Sequence, residues 1–147
     1  KFPTVTGEMM ELADSPITMA HGDFRLDNLF FDNGELKVID WQICIKTTGG
    51  YDVGYFLSQS LTIDDRRNHE KELLERYRNT LSELGLDYPQ DRLMEDYRRS
   101  VLFCLAYPVQ ASAAALVNER AVQLVTEMFV RVSTAIEDLD ADEFLPE

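Results

Sequence analysis

Asn33-Gly34 lies between two runs of strand-forming residues, Leu29-Phe30-Phe31-Asp32 and Glu35-Leu36-Lys37-Val38-Ile39. Asn-Gly is the favoured two-residue type I′ turn because both positions need positive φ, so the segment reads as a tight antiparallel hairpin. The turn sets the register: Asp32 faces Glu35, Phe30 faces Lys37 and Asn28 faces Ile39. Asn28 and Asp40 then leave the open end of the hairpin together, ~5–6 Å apart in backbone terms. Neighbouring strand positions point to opposite faces. For both side chains to converge, the backbone must leave the extended form near Asn28 or near Asp40.

Residues 1–16 contain Pro3, Gly7 and Pro16 and form a leading segment, with a short helix predicted over Glu8 to Leu12. The apolar run Ile17 to Ala20 delivers the chain into His21, and Gly22 permits a tight backbone there. After Asp40, Trp41 to Ile45 continues apolar and Lys46 to Gly50 is expected to be a loop. Val53, Tyr55, Phe56, Leu57 and Leu61 then predict a helix with Asp52 at or near its N-cap. Apolar periodicity predicts further helices over Asp64 to Leu84, stopped by Gly85, over Asp91 to Tyr107, broken or kinked by Pro108, and over Glu119 to Leu139. The acid-rich end from Glu137 is expected to fray. The organisation is one α+β domain, mostly helical: residues 1–16 leading in, 17–61 with the polar loop and hairpin, 62–139 helical, and 140–147 an acidic tail.

A net charge of −13 over 147 residues argues against binding a nucleic-acid backbone or an anionic membrane surface. Ser100 to Asn118 carries no charge and approaches the length of a spanning helix, but Ser100, Pro108, Gln110, Ser112 and Asn118 interrupt it. It reads as a buried helix pair. Cys44 and Cys104 have no metal-binding spacing, which implies two small core side chains and a reduced, cytoplasmic setting. No signal-peptide pattern opens the chain. Lys1 in place of Met suggests a fragment of something longer.

Asp23, Asn28 and Asp40 are the candidates for chemistry. An aspartate within hydrogen-bond reach of a hydroxyl can orient it and accept its proton. Asn and Asp oxygens are hard ligands suited to magnesium, which takes few protein ligands and fills its shell with phosphate oxygens and water. Each residue alone has a structural reading as a turn former or a cap. His21-x-Asp23-x-x-x-x-Asn28, however, has the spacing of a phosphotransferase catalytic loop, and a hairpin and a third carboxylate follow it. Arg25, inside the loop, either steadies a phosphate or pairs with Asp27. Trp41 lies beside the nucleotide site or in the core. His69, in a charged run, reads as a solvated surface residue.

His21-Gly22-Asp23 with Asn28, Ile39-Asp40-Trp41-Gln42 and Tyr51-Asp52-Val53-Gly54-Tyr55 together resemble the aminoglycoside phosphotransferase and choline/ecdysteroid-kinase-like family. The resemblance runs from about Ile17 to Leu61. It implies the C-terminal lobe of a protein-kinase-like fold, with the catalytic-loop hairpin packed on a helical bundle. By resemblance Asp23 is the catalytic base, Asn28 and Asp40 hold magnesium and with it ATP, Asp52 braces the loop, and His21 is structural. Asp40-Trp41-Gln42 stands where protein kinases have Asp-Phe-Gly, and no Ala-Pro-Glu follows, which favours a small-molecule hydroxyl acceptor over a protein. The seven glycines make no phosphate loop, and no Val-Ala-Ile-Lys-like strand precedes His21. The family's ATP-clamping N-terminal lobe is therefore expected to precede Lys1, and the 147 residues by themselves are expected to have little or no kinase activity.

The acceptor is less defined. Asp138, Asp140, Asp142 and Glu143 suit a cationic substrate or serve solubility, and the uncharged stretch from Ser100 suits an apolar alcohol. Two other readings stand beside the kinase: a non-catalytic kinase-like binding or scaffold domain, and a metal-dependent hydrolase built on Asp23 and Asp40. With two histidines in the chain, the second is poorly supplied with the commonest metal ligand.

Overall fold

The computed structural model describes residues 15–115 and 118–145. The helix expected over Glu8 to Leu12 lies outside the described residues. Strand β1 (Ile17–Ala20) pairs antiparallel with β4 (Ile45–Thr48), Ile17 opposite Thr48 and Ala20 opposite Ile45. Between them, β2 (Leu29–Asp32) and β3 (Glu35–Val38) form a second two-stranded sheet. Helices α1 (Gly50–Ser60), α2 (Ile63–Glu83), α3 (Gln90–Phe103), α4 (Ala106–Ala115) and α5 (Glu119–Asp138) follow. The chain is thus mostly helical, with small antiparallel strand pairs.

The hairpin has the register its turn dictates. Asp32 is opposite Glu35 and Phe30 opposite Lys37, Asn33 and Gly34 have φ of 50° and 86°, and Ile39 N–H donates to Asn28 O at 3.0 Å. Its packing differs from expectation. Phe30 is 53 % exposed, Phe31 73 % and Leu36 50 %, so the hairpin does not bury a face against the helices. The expected loop over residues 46–50 is also corrected: Ile45–Thr48 is a strand, and its partner β1 lies far back in the chain.

The core forms where α1, α3 and α5 meet. Leu57, Leu74, Tyr97, Val101 and Ala135 make one buried cluster, and Tyr55, Cys104 and Val132 make a second. Gly54 allows α1 and α3 to approach closely, since a Cβ there would lie 2.8 Å from the Cβ of Ser100. Cys104 is buried as expected, but Cys44 is exposed, because it links the 3-10 turn Trp41–Ile43 to β4 outside the core. Helix starts are closed by side chains: Thr62 Oγ1 accepts from Asp65 N–H at 3.1 Å and Asn118 Oδ1 from Ala121 N–H at 2.8 Å.

The helix expected to run to Tyr107 ends at Phe103 and restarts at Ala106. Pro108 does not make the break. It sits in the first turn of α4, where helix N–H groups have no partner and proline loses nothing. No helix among the described residues is long and apolar enough to cross a membrane. Over its described residues the acid-rich end is packed rather than frayed. A 3-10 turn (Ala141–Phe144) buries Ala141, Arg98 donates to the carbonyls of Leu139 and Asp140 at 2.6 Å each, and Phe144 lies beneath the guanidinium groups of Arg98 and Arg99. His69 is exposed on α2.

Candidate active site

Strand β1 ends at His21, and the chain must turn there. Gly22 has φ of +88°, and a Cβ at this position would lie 2.4 Å from the carbonyl oxygen of Ile43, so the loop closes only with glycine. Two backbone N–H groups point inward from the turn. Asp52, in the first turn of α1, takes both: His21 N–H donates to Oδ2 at 2.6 Å and Gly22 N–H to Oδ1 at 3.0 Å. Burial pushes the Asp52 carboxyl above its usual range, and these two hydrogen bonds pull against that shift.

His21 is 1 % exposed and joins the loop to the hairpin. Its Nε2 donates to Ile39 O at 2.7 Å, and its Nδ1 accepts from Asp23 N–H at 3.2 Å. A carbonyl can only accept and a backbone N–H can only donate, so the pattern assigns the neutral Nε2–H tautomer. One imidazole thereby connects Asp23 to the residue before Asp40. Trp41 covers the ring at 4.7 Å between centroids; it is half exposed rather than in the core.

The Asp23 carboxylate meets three donors. Tyr55 hydroxyl donates to Oδ1 at 2.7 Å, Asn28 Nδ2 donates to Oδ2 at 3.0 Å, and Arg25 Nε lies 3.2 Å from Oδ1 and 3.3 Å from Oδ2. Arg25 also pairs with Asp27 at 3.2 Å. Burial, followed by the bond to Asp23, pushes the Tyr55 hydroxyl well above its ordinary pKa, so it stays a donor. Tyr55 stacks on Tyr107 at 4.5 Å and 8°. Tyr107 hydroxyl in turn donates to Gly22 O at 3.2 Å and meets the hydroxyl of Tyr51.

Asn28 and Asp40 both leave the extended form. Asn28 closes a 3-10 turn (Leu26–Asn28) and is buried; Asp40 is exposed, with φ 65° and ψ 55°. A left-handed conformation is uncommon for a residue with a side chain, though less so for Asp, and such positions concentrate at functional sites. Asn28 spends its amide nitrogen on Asp23, donating also to Asp23 O at 2.8 Å, which leaves its Oδ1 turned the other way. Among the described residues nothing donates to that oxygen or to the Asp40 carboxylate. No three His, Cys, Asp or Glu side chains among the described residues gather as a metal cage. Two free hard oxygens fit magnesium, which arrives with phosphate and water ligands, and do not fit a closed structural metal site.

All six residues singled out from the sequence, His21, Asp23, Arg25, Asn28, Asp40 and Asp52, lie on this loop, on the hairpin end or on the helix start that holds them. Tyr55 stands in the motif that carries the resemblance but is not among the candidate site residues, and neither is Tyr107. Tyr55 has a sequence signal, since it lies three residues after Asp52 on the same helix face. Tyr107 has none, because its position depends on the helix break at Cys104–Leu105. Of the four acids considered for a cationic substrate, two are matched elsewhere: Asp138 by Arg66 and Arg67, and Glu143 by Arg98 at 2.6 Å.

The family model that matches the chain is that of the ecdysteroid kinase-like family, over residues 4–87. No curated protein and no solved structure matches the chain.

Proposed function

The chain belongs to the ecdysteroid kinase-like family, and from that premise we propose that it is the catalytic-loop lobe, corresponding to the C-terminal lobe of a protein-kinase-like fold, of an ATP- and Mg2+-dependent phosphotransferase. Its members are kinase-like enzymes acting on small molecules; the transfer proposed here moves the γ-phosphate to an acceptor hydroxyl. The observation that carries the reading is the Asp23 carboxylate, fixed by Tyr55 and Asn28 on a loop whose hairpin also joins Asn28 to the residue before Asp40.

Asp23 is the group that takes the acceptor's proton as the hydroxyl attacks. Tyr55 and Asn28 each donate to one of its oxygens, so the carboxylate cannot rotate away. Asn28 and Asp40 are the residues that would hold Mg2+, which with ATP would neutralise phosphate charge and align the transferred group. His21 and Asp52 do no chemistry. They hold the loop, one from the hairpin and one from α1, so that Asp23 and Asp40 keep a fixed spacing. Arg25 closes over the carboxylate from the solvent side, and the acceptor hydroxyl displaces it. That displacement is also where a non-catalytic kinase-like binding domain differs: in such a domain Arg25 stays in place and Asp23 serves only the fold.

The test is ATP consumption by the full-length protein with a panel of alcohols, wild type against Asp23→Asn. Loss of a positioned general base lowers kcat by roughly 10²–10⁴-fold, and the substitution keeps the side chain's shape. An Asp23→Asn protein that phosphorylates at the wild-type rate removes Asp23 from the reaction. A wild type that binds ATP and consumes none with any alcohol favours the binding domain.

A further inference from the structure

Gln59 lies one turn beyond Tyr55 on α1. It is 7 % exposed, yet neither end of its carboxamide has a hydrogen-bond partner among the described residues. A buried amide left unpaired opposes folding, and buried polar groups in folded proteins are nearly always satisfied. This one lines a cavity of about 210 Å³ whose walls also include Tyr55, Arg25, Leu124, Met128 and Arg131. Tyr55 and Gln59 are four residues apart and share a helix face, and the Tyr55 hydroxyl is bonded to Asp23. The cavity therefore reaches the proposed base through Tyr55. Pockets that enclose a whole ligand run to roughly 300–1,000 Å³, so a cleft of this size takes part of a molecule.

The wall chemistry selects that part. Leu124 and Met128, successive turns of α5, supply an apolar surface. Arg131, one turn further, donates Nη1 to the backbone carbonyl of Gln59 at 3.0 Å, and the carboxylate it pairs with among the described residues, Glu127, stays 3.9 Å away. Its remaining N–H groups are not committed to a close carboxylate. The carboxylate in the cavity wall, Asp27, is already paired with Arg25. The lining thus offers the uncommitted N–H groups of Arg131, a free carboxamide and an apolar strip, while its carboxylate, Asp27, is held by Arg25, so it favours an oxygen function over an ammonium.

We propose that the Gln59–Arg131 cleft is the acceptor subsite, and that it reads a neutral or anionic oxygen function, an amide, carbonyl or carboxylate, on an alcohol whose apolar body lies on Leu124 and Met128. This rests on the reading of Asp23 as the base, because it is Tyr55 that connects the cleft to that carboxylate. It turns the acceptor class away from cations, which the acids at the end of the chain had suggested. Gln59 is a specificity residue in this scheme, and its unpaired amide is the partner waiting for substrate.

The experiment uses three probes on one scaffold: para-(hydroxymethyl)benzamide, para-(hydroxymethyl)benzoate and para-(hydroxymethyl)benzylammonium. Each is titrated into full-length protein labelled at the methionine methyls, and the Met128 resonance is followed. The amide and the carboxylate should move that resonance and bind at least about fivefold tighter than the ammonium, a factor equivalent to one net hydrogen bond. Gln59→Leu should weaken the amide by about the same factor and raise the melting temperature, because it removes an unpaired buried amide. A structural glutamine gives the opposite sign on stability. Gln59→Glu keeps the shape and should shift preference toward the ammonium, so the proposal stays testable if the leucine variant misfolds. The proposal is overturned if the ammonium binds as tightly as the others, if Gln59→Leu leaves amide affinity unchanged, or if no probe moves Met128. Binding is read without turnover, so an Asp23→Asn enzyme that still phosphorylates removes the base assignment and leaves the cleft standing.

Discussion

Between Ile17 and Thr48 the side chains that are buried are mostly polar, while the helices from Gly50 onward carry the large buried apolar ones. In the first region His21, Asn28, Thr47 and Thr48 are buried, and Phe30, Phe31, Leu36, Trp41 and Ile43 stand about half or more in solvent. In the second, Leu57, Tyr97, Val101 and Val132 are fully covered. The helices are held by area removed from water, which tolerates small displacements. The loop is held by directed hydrogen bonds, and these do not: His21, Asp52, Tyr55 and Asn28 each fix one atom of a short segment. The difference separates a scaffold from a site, since a base and two metal ligands need positions good to a fraction of an ångström.

The largest test of that division is Asp52→Ala. It removes the sole acceptor of two inward N–H groups, on His21 and Gly22. Unpaired buried donors cost about 1–3 kcal/mol each, and relief of the carboxylate's own burial returns part of that. A net loss of about 2–4 kcal/mol is expected by urea unfolding. It should be accompanied by amide exchange that rises at residues 21–28 and stays unchanged in α3 and α5. Equal loss of protection across the helices would show that loop and scaffold are one cooperative unit.

The two regions also differ in how far they can be read from sequence. Asn33-Gly34 dictates its turn locally, so the hairpin register and the meeting of Asn28 with Ile39 are legible residue by residue. Helix spacing likewise yields α2 and α5 to within a residue. What is not legible depends on distant partners. The strand Ile45–Thr48 looks like a loop until β1 is placed beside it. The break at Cys104–Leu105 has no glycine or proline at it, and Pro108, the visible breaker, sits harmlessly in the next helix. The acid-rich end looks solvated until Arg98 takes two of its carbonyls. The same holds for the site: Asp23, Asn28 and Asp40 announce themselves by spacing, whereas Tyr107 reaches Gly22 through the helix break and Gln59 stands out only because nothing among the described residues pairs with its carboxamide.

A smaller effect tests the scaffold on its own terms. Arg66 is buried and shared between Glu70, at 2.7 Å, and Asp138. Glu70 also accepts from Tyr97 hydroxyl at 2.7 Å, and Arg67 joins Asp138 from the surface. Hydrogen bonds from Arg67 hold the Asp138 carboxyl below its ordinary value of 3.8, with Arg66 adding to the effect. A carboxylate whose pKa is lowered by folding contributes stability that is fully present above the unfolded value and lost as pH falls through the folded one. Asp138→Asn should therefore cost about 1–2 kcal/mol at neutral pH, less than a fully buried pair because Asp138 is partly solvated and Arg66 keeps Glu70. The gap between variant and wild type should close below pH 3.8. A gap independent of pH would assign the loss to packing, and the scaffold would then contain no working ion pair.

The smallest expected effect is Phe31→Ser, and it bears most directly on the contrast between the regions. Phe31 is the more exposed of the hairpin's two aromatics, at 73 %, and faces Leu36 across it. A cross-strand apolar pair of this kind is worth about 0.2–1 kcal/mol, and an exposed substitution away from special geometry usually moves stability by about 0.5 kcal/mol or less. The turn at Asn33-Gly34 and the backbone ladder remain, so Phe30 should still face Lys37 in cross-strand NMR contacts. Truncating a buried aromatic in a core costs about 3–5 kcal/mol instead. A Phe31→Ser loss of that size would mean the hairpin's apolar side chains are covered in the folded protein. The site would then be held by burial as the helices are, and the distinction between a hydrogen-bonded loop and an apolar scaffold would fail at the residues that bring Asn28 and Asp40 together.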